Sequence, residues 1–145
     1  MKNLYNASFI YLIIGLLSGV FAREYSKAQG IKGSTMLQLV HTHVLVLGFL
    51  FFLIAFALCK VFHVQETKSF RAWFIVYNVG LIFNIATMLF RGLLQVNGTD
   101  FNGLSHMAGV GHVIISVGHV IISVGHVIIS VGLIWFMVLL KKSFK

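Results

Sequence analysis

The sequence predicts an all-α integral membrane protein. It reads as a four-helix bundle with both termini cytoplasmic and a fourth helix made over-long by a triplicated heptad. Three observations carry this. Of the 145 residues, 59% are hydrophobic and only 10% charged, where a soluble domain has about a quarter charged. Mean hydropathy is +0.97, more apolar surface than a water-soluble fold of this length can hide. The apolar residues also gather into four runs, about 5–22, 36–62, 72–96 and 107–140, which define a single transmembrane domain over 1–145. A crossing needs about 20 residues at 1.5 Å each.

The first run, Tyr5 to Ala22, follows Lys2 and ends on Val20-Phe21-Ala22, a loose match to a cleaved signal peptide. Gly15 and Gly19 form a G-x-x-x-G pair, which lets membrane helices approach closely and favours a retained span. The second and third runs, Met36 to Phe62 and Ala72 to Val96, are ordinary spans allowing for tilt. Loop charge orients them. With four spans, Lys2, Lys60, Lys68, Arg71, Lys141, Lys142 and Lys145 share one side, against Arg23, Lys27 and Lys32 on the other. The richer side is cytoplasmic by the positive-inside rule, so loops Arg23–Thr35 and Asn97–Ser105 face outward. The net charge of +8 therefore reads as headgroup contact at the cell membrane and not as nucleic-acid binding. Asn97-Gly98-Thr99 matches a glycosylation sequon but is more simply a turn.

The fourth run contains Gly-His-Val-Ile-Ile-Ser-Val three times over residues 111–131. Identical tandem copies point to duplication of a short coding stretch. At 34 residues the run would be about 51 Å long as a helix. Removing two copies leaves one ordinary span, so a one-copy chain is the parent form. Seven residues nearly preserve helical phase, drifting about 20° per heptad. His112, Ser116, His119, Ser123, His126 and Ser130 therefore form a seam expected to face the bundle, with Ile and Val toward lipid. Anchoring at Lys141 makes His126 the parental histidine; anchoring at the preceding loop makes it His112. The sequence leaves both open.

Six of the seven histidines lie in or beside these spans: His41, His43, His106, His112, His119 and His126. Ionisable residues in hydrocarbon are costly and usually have a partner or a task. Neutral imidazole can ligate a metal or relay a proton. His41 and His43 open the second span, and residues two apart on a helix point about 200° apart. They are expected to face different neighbours and not to share one metal. His63 reads as a solvated interface residue. The single Cys59 excludes an internal disulfide and a thiol-only metal cage.

The run His41-Thr42-His43-Val44-Leu45-Val46-Leu47-Gly48-Phe49 resembles the His-x-His segment of the haem–copper oxidase subunit I superfamily. There the two histidines point at two haems flanking one helix. The overlap is nine residues, no His-His pair or copper-ligand set accompanies it, and the chain is far shorter than an oxidase core, so a terminal oxidase is not expected. The whole chain also resembles small four-span bacterial membrane proteins grouped as a family of unknown function, which implies topology and no activity.

A b-type haem needs one or two neutral imidazoles on facing helices and cations near its propionates. His41 or His43 is the candidate from the second span, and His106, His112 or another seam member from the fourth. Arg91 is the candidate cation, on one face of the third span with Tyr77 and Asn84. The candidate metal ligands are accordingly a subset of His41, His43, His112, His119 and His126.

The expected function is membrane haem binding for electron transfer or ligand sensing. One alternative is an accessory subunit of a larger membrane complex or homo-oligomer, with packing histidines and no cofactor. Another is a proton or metal-ion pathway along the His/Ser seam, against which the only acids, Glu24, Glu66 and Asp100, lie outside the spans. No nucleophile–base–acid set can be assembled, so a self-contained enzyme is not expected.

Overall fold

The computed structural model describes residues 1–31, 33, 35–97 and 108–144, without the side chains of 108–119 and 121. Four helices are long and apolar enough to cross a membrane. The first is α1, Lys2–Ala28. The second span is one continuous helix in three parts: α2 (Met36–His43), a π-helical segment (Val44–Leu50) and α3 (Phe51–Phe62). The third is α4, Phe70–Val96, and the fourth is α5, Ala108–Ser143. Among the described residues there is no strand. At 27 residues, α1 and α4 are about 40 Å long, and α5 at 36 residues is about 54 Å.

Each helix stops for a local reason. His63 takes a left-handed conformation, φ 54°, and its N–H returns to the Cys59 carbonyl, which closes α3. A short 3₁₀ turn, Val64–Glu66, then leads into α4. Gly30, at φ 68°, turns the chain after α1.

The second span is central. It packs on α1 along much of its length, its N-terminal part α2 packs also on α4, and α5 packs chiefly along α4 while touching the second span at α3. The G-x-x-x-G pair works as expected: a Cβ on Gly15 would lie 2.5 Å from Leu45, and one on Gly19 3.5 Å from His41. Large apolar side chains such as Leu17, Val20, Phe90 and Ile134 point outward, which suits hydrocarbon as the solvent.

The interior is aromatic. Phe51, Phe52, Trp73, Tyr77 and Phe136 form a continuous set of ring contacts, the closest being Trp73–Phe136 and Phe51–Tyr77 with centroids 4.7 Å apart. Of the interfacial and packing roles open to a tryptophan near the end of a span, Trp73 takes packing. It is fully buried, and its indole N–H donates to the Gly132 carbonyl at 2.8 Å.

The seam of α5 differs from expectation. Among the described residues its buried positions are Ile122, Gly125, Ile129, Gly132, Phe136, Leu139 and Leu140, while Ser123, His126 and Ser130 lie on the exposed side. Glycine explains the reversal. A Cβ on Gly125 would lie 2.9 Å from Asn84 Oδ1, and one on Gly132 2.7 Å from the Tyr77 ring. In membranes, close backbone approach drives helix pairing more than polarity does. Gly125 and Gly132 therefore take the interface, and His126, one residue beyond Gly125, falls at its edge.

Candidate functional site

The structure brings one pair of histidines together. His43, the last residue of α2, faces His126 of α5, with ring centroids 5.9 Å apart and planes at 88°. His43 is half-buried and His126 exposed at the bundle surface. His43 lies seven residues into its helix, about 10 Å from the end remote from the termini.

Both rings are held the same way. His43 Nδ1 lies 2.9 Å from the Leu39 carbonyl, and His126 Nδ1 lies 2.9 Å from the Ile122 carbonyl, each four residues back. A carbonyl only accepts, so each Nδ1 carries the proton. In the neutral rings each Nε2 then presents a lone pair. Metal-ligating histidines are oriented in this manner, the outer nitrogen bonded to a backbone carbonyl.

His41 points elsewhere, as its spacing predicts. It packs against Gly19 of α1; its Nδ1 is buried without a partner, and its Nε2 lies 3.4 Å from Thr42 Oγ1. Of the candidate ligands from the second span, His43 alone joins the pair. His106 and the side chains of His112 and His119 lie outside the described residues. Arg91 sits partly buried near the far end of α4, the helix on which both α2 and α5 pack. Glu24 pairs with its neighbour Arg23 at 3.8 Å on the exposed surface, a contact of little energetic weight.

The end of the bundle that carries the termini fixes which heptad copy meets His43. Phe136 packs on Trp73 and Phe51, Gly132 receives the indole bond, and Gly80 of α4 receives Ile128. A one-heptad slip would exchange glycine for glycine and Ile128 for Ile121. It would also replace Phe136 by Ile129 and forfeit the aromatic contacts. Anchoring is therefore at the C-terminal end, and His126 is the copy opposite His43.

Hydropathy gave no sign of the π-helical segment directly after His43. Its altered bonding leaves carbonyls to side chains from two other spans: Ser8 Oγ donates to Phe49 O at 3.0 Å, and Tyr77 Oη donates to Leu47 O at 3.0 Å. Such segments are frequent at functional sites. A Cβ on Gly48, within it, would meet the Tyr11 ring at 2.6 Å. The tether from α4 and the tether from α1 hold the segment that follows His43.

Among the described residues, no cluster of three or more His, Cys, Asp or Glu side chains could hold a metal ion. Whatever the pair binds receives two protein nitrogens. Comparison with curated proteins and with solved structures found no match. A family model described as a protein of unknown function, DUF2871, matches residues 1–124, taking in His41, His43 and the first two heptads, and the chain belongs to that family.

Proposed function

We propose that the protein binds a b-type haem between His43 and His126 and serves in membrane electron transfer. The juxtaposition of the two rings, each with Nδ1 tied back and Nε2 unspent, carries this reading. Two imidazoles on one ion, with metal–nitrogen bonds of about 2 Å, place ring centroids about 6 Å apart. The observed 5.9 Å meets that requirement.

Ligand number favours haem over a bare ion. Structural zinc takes four protein ligands, and its catalytic sites take three. A porphyrin supplies four nitrogens of its own and asks the protein for two axial ones. The surroundings agree: α2 packs on α1 and α4 while α5 follows α4, so a macrocycle between α2 and α5 would have an edge toward lipid. Arg91, at similar depth on α4, is the cation for a propionate.

Bound haem would supply one-electron chemistry. His43 and His126 would hold the iron, and their Nδ1 bonds would fix ring orientation and raise ligand basicity. Iron held by both His43 and His126 would have no protein-side room for an added ligand, which favours electron transfer over ligand sensing.

The test is the absorption spectrum of detergent-purified protein from haem-replete cells. A Soret band is expected, lost in both His43→Ala and His126→Ala and retained in His41→Ala. A colourless preparation, or a band indifferent to His126, would leave the pair as an edge-to-face packing contact.

A further inference from the structure

We propose that a crevice between α1 and α4, at the end of the bundle that carries the termini, seats the head of an isoprenoid quinone. The crevice has a volume of about 400 Å³ and is lined by apolar residues, including Phe74 and Ile82, together with Tyr11, Asn78, Asn3 and Asn6. That size falls within the range of about 300–1,000 Å³ of small-ligand pockets.

The polar groups are the informative part. Asn6 lies within a candidate span, where a bare amide is expensive. Among the described residues, Asn3 and Asn6 make no side-chain hydrogen bond and are exposed. Deeper in, Tyr11 Oη donates to Asn78 Oδ1 at 2.9 Å, and Asn78 Nδ2 donates to the Phe74 carbonyl at 2.7 Å. An amide nitrogen has two protons, so one remains on Asn78, and the Tyr11 oxygen keeps lone pairs. Unspent donors and acceptors thus run from the mouth inward, about 12 Å along α4 from its first residue to Asn78.

Among the described residues, no charged side chain lines the crevice. A phospholipid headgroup would leave its charges without a counterpart. The fitting ligand is an amphiphile with an apolar tail and a neutral, flat head bearing oxygens on opposite edges. A quinone meets this description in both redox forms, since asparagine donates to its carbonyls and accepts from the hydroxyls of the quinol. The assignment stands on the crevice alone and holds whether or not haem occupies the far end.

Full-length protein in detergent would be titrated with a short-tailed benzoquinone, following quenching of tryptophan fluorescence. Trp73, adjacent to Phe74 in sequence, is the expected reporter. Saturable binding is expected, weakened about tenfold in Asn6→Leu, which corresponds to about 1.4 kcal/mol. Asn6 bonds to nothing within the chain, so its loss leaves the fold intact; Asn78→Leu should weaken binding further. His43→Ala should bind quinone as the parent does, which separates this site from the haem reading. Unsaturable quenching, equal affinity in Asn6→Leu, or equal competition by a short-chain phosphatidylcholine would overturn the proposal.

Discussion

The indole of Trp73 donates to the carbonyl of Gly132 at 2.8 Å, and that bond sets the height of the histidine six residues earlier. Gly132 and His126 lie on one rigid helix, about 9 Å apart along its axis. Fixing one fixes the other, so the pairing of His126 with His43 is decided at the aromatic end of the bundle.

Deleting residues 111–124 should therefore leave the site intact. The shortened fourth helix keeps everything from Gly125 onward, including the contacts of Gly132 and Phe136. Its Soret band should match that of the full chain in position and in haem-to-protein ratio. A colourless one-copy protein would mean that an earlier histidine supplies the ligand.

Gly125 and Gly132 of α5 should tolerate no side chain. In Gly132→Val the new Cβ would press on the Tyr77 ring, and overpacking typically costs about 1–3 kcal/mol. A lower melting temperature in detergent and a lowered haem content are expected. Gly33→Ala, where nothing lies within 4 Å, is the control and should melt with the parent.

Trp73→Phe keeps most of the ring packing and removes the bond to Gly132. Interhelical hydrogen bonds in membranes average about 0.6 kcal/mol and reach about 1.7. A fall in melting temperature of a few degrees is expected, measured by thermal unfolding in detergent. An unchanged value would assign the register to the Phe136 stack alone.

Carbon monoxide distinguishes the axial ligands. If haem is bound as proposed, the reduced parent protein should show no spectral change with the gas, because His43 and His126 would both hold the iron. His126→Gly should bind it, and added imidazole should compete. His41→Ala should behave as the parent does.

Hydropathy made the four spans legible because the bilayer sets their length and polarity. The divergence of His41 and His43 was equally plain from helical geometry. The partner of His43 was hidden, because three identical heptads carry no information about which one is used; that information sits in Phe136 and Trp73, outside the repeat. The seam was misread for a different reason. Periodicity marks the positions that share a face, but in lipid polarity does not say which face packs, and here Gly125 and Gly132 outweigh His126 and Ser130. The π-helical segment has no compositional mark in Val44-Leu45-Val46-Leu47-Gly48-Phe49-Leu50. It follows from what Ser8 and Tyr77 offer its carbonyls from other spans.

Because α5 is pinned at its C-terminal end, its other end is free to vary in a particular way. Replication slippage across the repeated coding stretch adds or removes whole sevens, and each event changes the height of the column without turning the base on which it stands. Lineages with one, two or four copies would inherit the same working imidazole. The locus can stretch or contract between generations while selection sees an unaltered site.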